Sequence, residues 1–294
     1  MHIRSVLQLM VVTLASSLLS PPAQSLEVTA GDYEMLPAGA DVALLYLQHA
    51  KRTELYVGGD QQSSNFNLDS SIGILRYIHA FKLGERATLD FNVILPFGGL
   101  KTSGDASVLG SASGVADIGI GVAGKFLLND TTKDTFSVFA LATLPTVNYD
   151  HNQSLNLGEN RWRALLQLAY VAHFGPHWAI DLVGDIQVKG QNGQFGPAQA
   201  TLKQAPRYEA QAHLRYLLSP ATALSFSLAQ YGGMQSEVNG VTQNDKRLTR
   251  YLRLSATHFL NPTSQIQAQL GQDISAENGP KEKFGLNLRL LKVF

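Results

Sequence analysis

Hydrophobic and polar side chains alternate in twelve segments between residue 41 and the end of the chain. In TLDFNVIL, Leu89, Phe91, Val93 and Leu95 share one parity, and Thr88, Asp90 and Asn92 share the other. RALLQLAYVAHF sets Leu166, Leu168, Tyr170 and Phe174 against Gln167 and His173. WAIDLVGDIQVK sets Ile180, Leu182, Ile186 and Val188 against Asp181, Asp185, Gln187 and Lys189, and YEAQAHLRYLL sets Leu214 and Tyr216 against Glu209, Gln211, His213 and Arg215. A period of two belongs to a strand with two unlike faces. Near 42–57, 67–82 and 135–147 no parity stands out, and the outward face of those strands is left open.

The connections divide the strands in a regular way. Short turns at 83–86, 128–134, 175–177, 219–221 and 261–263 alternate with long polar loops at 58–65, 98–114, 148–160, 190–204, 232–247 and 274–282. A closed up-and-down barrel in an outer membrane has this order, with tight periplasmic turns and long extracellular loops. The expectation is therefore an all-β protein: a closed antiparallel transmembrane β-barrel of twelve strands over residues 41–294. A soluble sandwich also alternates, but nothing in it sorts its loops by length between two ends. Aromatic residues support the membrane reading. Phe81, Phe126, Phe136, Phe174, Trp178, Tyr216 and Phe259 lie near the short turns, and Phe97, Tyr149, Trp162 and Tyr231 flank the long loops, as two interfacial girdles would.

The last residues, FGLNLRLLKVF, repeat the pattern and stop on an aromatic ring. Leu286, Leu288, Leu290 and Phe294 form the outward face of a closing strand, which must pair with the first so that no edge meets lipid. The same strand is the expected handle for the barrel assembly machinery.

At the other end, a short basic start, an apolar run and the small residues Ala23 and Ser25 read as a secretory signal spanning 1–25. Residues 26–40 carry no clear period and are expected to form a periplasmic segment or a small plug. Its mix of apolar and acidic residues would suit the mouth of a barrel.

Composition then removes several classes of function. There are no cysteines, which excludes disulfide scaffolds, thiolate metal sites and cysteine nucleophiles. The 23 basic and 23 acidic residues balance, so no net field recruits nucleic acid. GIGVAG at 119–124 matches GxGxxG, but it continues as a strand and no helix opens from it, so no dinucleotide is expected. GSASG at 110–114 places Ala112 where a nucleophilic serine would stand. The histidines are scattered singly, without HxxxH or HExxH spacing. No cofactor, metal or catalytic group is expected.

With these phases, the lumen receives Asp90, Asn92, Asp117, Gly119, Gly121 and Lys125 from the third and fourth strands. Arg163, Gln167, Asp181 and Asp185 follow from the sixth and seventh, Glu209, His213 and Arg215 from the eighth, and Arg253, Gln267 and Arg289 from the last three. These residues are the candidate solute path. Both signs of charge are present, so a wall of cross-strand ion pairs and a conductive polar path stay equally open. Gly119, Gly121 and Ala123 form a row of minimal side chains that leaves room inside, for a loop or for the N-terminal segment.

LPAGADVALLYLQHA at 36–50, NVILPFG at 92–98, GVADIGIGV at 114–122, ATLPTVNYD at 142–150 and the closing GLNLRLLKVF resemble the outer-membrane barrels associated with the meta-cleavage pathway of phenol degradation. The resemblance spans nearly the whole chain after the signal. It implies a channel for passive uptake of small hydrophobic or aromatic solutes, set among outer-membrane lipid and lipopolysaccharide. The rival reading is a structural or adhesion barrel whose loops bind a ligand without transport. Oligomeric state is left open.

Overall fold

The computed structural model describes residues 28–294. The expected signal segment lies outside the described residues. Twelve long strands carry the fold: β1 (Asp41–Val57), β2 (Phe66–Lys82), β3 (Ala87–Gly104), β4 (Gly119–Leu127), β5 (Thr135–Thr143), β6 (Arg163–Phe174), β7 (Trp178–Lys189), β8 (Arg207–Ser219), β9 (Thr222–Gly233), β10 (Arg247–Asn261), β11 (Ser264–Ala276) and β12 (Gly279–Val293). Each pairs antiparallel with its neighbour in sequence, and β12 pairs with β1 to close the barrel. That seam runs from Val42 opposite Val293 to Tyr56 opposite Gly279.

Short strands decorate the extracellular side. Residues 60–63 fold back on β1, residues 111–115 on β3, and 192–195, 200–204, 236–238 and 241–242 form a separate four-stranded sheet. The wall is uneven in height: β1, β2 and β3 have 17, 17 and 18 residues, β4 and β5 only 9 each. At about 3.3 Å per residue, the tall side stands well above the short one. Leu155 and Leu157 of the loop of residues 144–162 pack into the core beside the tall strands.

The outward parity exposes Leu47, Leu75, Leu168, Leu228, Leu254 and Leu290, among other large apolar side chains. A band of this kind around a closed barrel is matched to hydrocarbon, not to water. No helix among the described residues is long and apolar enough to cross a membrane; the crossing is made by strands. Phe81, Phe126, Phe174, Trp178 and Tyr216 face outward near the periplasmic turns, with Trp178 and Tyr216 packed at 4.8 Å between ring centroids; Phe259, expected among them, shares the inward parity of the buried Arg253 and Ser255 and lines the mouth of the lumen.

The girdle on the loop side departs from expectation. Trp162 is exposed and covers Gly190, where an added Cβ would lie 2.7 Å from its ring nitrogen. Phe97 lies across Gly73 on the paired strand. Tyr231 shares its parity with the buried Ser227 and Ala229, and so faces inward, against Tyr251 and the Arg207 guanidinium. A tyrosine at a strand end serves either face equally well, so its position alone did not fix its direction.

The three unresolved phases also have a physical cause. Val42, Leu44 and Tyr46 of β1, Ile72, Ile74 and Ile78 of β2, and Phe139 of β5 point inward and are buried, while Leu47, Leu75 and Tyr77 point outward. Both faces are apolar because the interior beside β1–β3 is a packed core. Leu109, Ala116, Leu155 and Leu157 from the loops join it, with Leu36 of the N-terminal segment against it. One sector of this barrel is therefore largely filled by apolar packing.

Candidate functional site: a plugged lumen

Inward-facing polar side chains line the remaining sector, and the structure sorts the expected path residues into four groups. The lowest group meets the N-terminal segment. Residues 28–36 lie inside the barrel, with Val28, Thr29, Ala30 and Tyr33 buried, and residues 37–39 are exposed. Arg289 bonds Asp32 and donates to Thr29 Oγ1 at 2.7 Å. Arg215 donates to Glu34 at 2.5 Å and pairs with Asp181 at 2.8 Å. The Gly31 amide donates to Asp181 at 2.7 Å. Lys125 donates to the carbonyl oxygens of Asp32 (3.2 Å) and Glu34 (2.8 Å) and lies 3.4 Å from Asp90. Gln267 donates to Ala30 O at 3.3 Å and to Thr257 at 2.8 Å. Burial works against the Glu34 charge, but His173 and Arg215 hold its carboxyl below the usual range. That contribution is present above the ordinary carboxylate pKa and fades as pH falls through the depressed value.

A second group surrounds the Tyr33 ring, which sits among Ala123, Phe139, Ala169, Val171 and Val183. Its hydroxyl donates to Gln167, which donates in turn to Asp185 at 3.0 Å. Asn92 is fully buried and accepts from Arg76 at 2.9 Å. The free volume here is about 40 Å³, about the share of a single water molecule. The space above Gly119 and Gly121 is taken by a neighbouring strand. A Cβ on Gly121 would fall 2.9 Å from the Phe139 ring, and one on Gly119 would fall 3.2 Å from Leu141. The small-residue row thus makes room first for β5 side chains.

The third group rims a cavity of about 100 Å³ nearer the outside. Arg207 bonds Glu209 at 2.5 Å and lies 3.7 Å from Asp185, and Tyr251 donates to Glu209 at 2.5 Å. Arg52 and Arg253 converge on Glu282 at 2.8 and 3.0 Å. His213, by contrast, bonds Ser227 at 2.8 Å within the wall. Arg52, Arg207, Asp273 and Glu282 belong to this cluster but escaped sequence reading. Arg52 and Glu282 lie where bulges interrupt the seam register, so simple parity does not reach them.

The fourth group ties down the loop of residues 144–162. Asp117 accepts from the amides of Thr146 (3.0 Å), Val147 (3.3 Å) and Glu159 (3.0 Å), so the structure uses it as a loop anchor. Glu159, fully enclosed, meets Arg161 at 2.6 Å, Lys189 at 3.0 Å and Arg163 at 3.5 Å. Burial opposes its charge, yet these three cations hold its carboxyl far below the ordinary range. The loop latch therefore stays charged into acidic solution. Glu159→Gln removes the shared anion, and uncompensated buried charge costs about 3–5 kcal/mol. The expected result is noisier single-channel current and a lower temperature of heat modification on gels; a variant equal to the parent in both would show that the latch holds nothing.

No group of three or more His, Asp or Glu side chains among the described residues is placed to hold a metal. The arrangement is a barrel wall crossed by salt bridges, with the N-terminal segment bonded to it at one end and the loop of residues 144–162 at the other. A closed twelve-stranded barrel with this outer band is an outer-membrane β-barrel of a Gram-negative bacterium. An outer membrane channel from Pseudomonas putida F1 is 43% identical over 91% of this chain and 100% of its own, with a TM-score of 0.90. The transport unit of the autotransporter AIDA-I from Escherichia coli shares the barrel fold at 8% identity, with a TM-score of 0.51 over 97% of this chain and 96% of its own. No curated protein matches the chain. The chain belongs to the family described as "Putative MetA-pathway of phenol degradation", whose profile matches residues 52–290.

Proposed function

We propose that the protein is a passive outer-membrane channel for small aromatic and other hydrophobic compounds, without enzymatic activity. The observation that carries the reading is the two-sided lumen: an apolar wall from β1 and β2 faces charged and amide side chains from β4–β12. Such a path offers dispersion contact to a ring and solvation to its polar substituent. The family description and the channel from Pseudomonas putida F1 point the same way. The expected path residues keep that role in the proposal, with Asp117 and His213 moved to support of loop and wall.

Partners follow from the outer surface. Lipid surrounds the apolar band, and lipopolysaccharide faces the rung in which Asp69 of β2 lies opposite Lys51 of β1 and Lys101 of β3. The closing strand is offered to the barrel assembly machinery. An adhesion barrel is the weaker reading, because Leu155 and Leu157 turn into the barrel core and not outward.

The test is uptake of a labelled aromatic hydrocarbon, and separately of a small sugar, by cells with and without the protein at concentrations where outer-membrane passage limits the rate. Faster uptake of the aromatic alone is expected. Faster uptake of both would mean a general pore, and no change in either would end the transport reading.

A further inference from the structure

We infer that the periplasmic vestibule is a carboxylate site for small aromatic acids, held closed by the chain's own Asp32 and Glu34 acting as stand-in ligands. This rests on the channel reading and narrows its solute class. The vestibule has a volume of about 510 Å³ and a mixed lining. Val42, Leu44, Ile78, Leu291 and Val293 give it apolar surface, and Arg76, Lys125, Arg215 and Arg289 bring cations to the same space.

The only acidic side chains lining this space among the described residues are Asp32 and Glu34, both from the N-terminal segment. The wall's own acids near it, Asp90, Asp181 and Asp134, are engaged by Lys125 at 3.4 Å, Arg215 at 2.8 Å and the His173 amide at 2.8 Å. His173 adds a further nitrogen 3.1 Å from Glu34. With the segment in place, Asp32 answers Arg289 and Glu34 answers Arg215. With it displaced, the four wall cations outnumber the three wall acids, and the excess charge sits in a low-dielectric cavity among apolar side chains.

The segment itself shows what fits. Leu36 packs on the apolar core while carboxylates two and four residues earlier meet the guanidinium groups. An apolar body joined to a carboxylate reproduces that arrangement in one molecule, and charge-assisted bonds to arginine favour a carboxylate over an alcohol of the same shape. A neutral hydrocarbon would use the apolar surface alone.

The experiment compares the full chain with an Asp32→Asn, Glu34→Gln variant in planar bilayers under a potassium chloride gradient. The variant should favour chloride over potassium by at least about threefold more than the parent, and sodium benzoate should block its current at concentrations where benzyl alcohol does not. Adding Arg215→Gln and Arg289→Gln should cancel both effects. Unchanged selectivity with equal sensitivity to benzoate and benzyl alcohol would overturn the inference. If the variant carries no current, saturable binding of labelled benzoate to detergent-folded protein decides: binding lost with the two arginine changes supports the site, and no binding overturns it. Aromatic uptake retained without this anion preference would remove the carboxylate site alone, whereas anion preference without aromatic uptake would count against the transport reading.

Discussion

A chain lacking residues 28–38 should fold as a barrel and pass ions far more freely than the full chain. Folding should survive because the strand ladder starts at Asp41 and none of its pairings uses the deleted residues. Permeation should rise because the same residues fill the lumen where the free volume is about 40 Å³. They place the Tyr33 ring at that level and fasten it through Asp32 to Arg289 and Glu34 to Arg215. Bonds to charged groups contribute about 1.5–3 kcal/mol each. Two such anchors bias the segment toward its seat by about 3 kcal/mol or more, roughly a 100-fold preference. Removing the segment removes that bias, so mean conductance in bilayers should increase by up to about 100-fold. Heat modification on gels should be unchanged. A deletion that folds and conducts no better than the parent would assign the closure to the loop of residues 144–162, whose Leu155 and Leu157 enter the apolar core from above.

The barrel was legible in the sequence because lipid and lumen impose opposite chemistries on alternate residues. Where that contrast holds, as in WAIDLVGDIQVK, parity alone separates the buried Asp181 from the exposed Leu182. Where it fails, parity is silent. β1 and β2 bury Val42, Leu44, Ile72 and Ile74 against loop residues, and an apolar side chain carries no mark of whether it meets lipid or a protein core. Seam pairing was legible for a different reason: a closed barrel permits no free edge, so the last strand has one available partner.

The site was legible as a set of directions, not as a set of contacts. Parity assigns Lys125, Arg215 and Arg289 inward, but each of them finds a partner in the one segment that has no period. Asp32 and Glu34 lie in turns and are placed by bonds to β6, β8 and β12, which no local pattern encodes. Asp117 shows the same limit. Its direction is inward, yet its carboxylate serves three loop amides 29 to 42 residues away. Periodicity reports which face a side chain takes, and long-range closure decides what it meets there.

Loss of β12 should abolish the membrane form altogether. Truncation after Asn278 would leave the β1 register from Val42 to Tyr56 without its partner, and the β11 register from Ser264 to Gly271 as well. Backbone groups unsatisfied in hydrocarbon cost several kcal/mol each, so the open form lies tens of kcal/mol above the closed one. No heat-modifiable species is expected from this truncation, either in cells or after refolding in detergent. Phe294→Gln separates closure from delivery. The Phe294 amide still donates to Asp41 O at 2.8 Å, and the outward ring, 77% exposed, packs on nothing that the ladder needs. Refolding in detergent should therefore match the parent, while the amount reaching the outer membrane of cells should fall if the assembly machinery reads that ring. An equal loss in both settings would make Phe294 part of the seam itself; no loss in either would move the recognition signal inward to Leu286, Leu288 and Leu290.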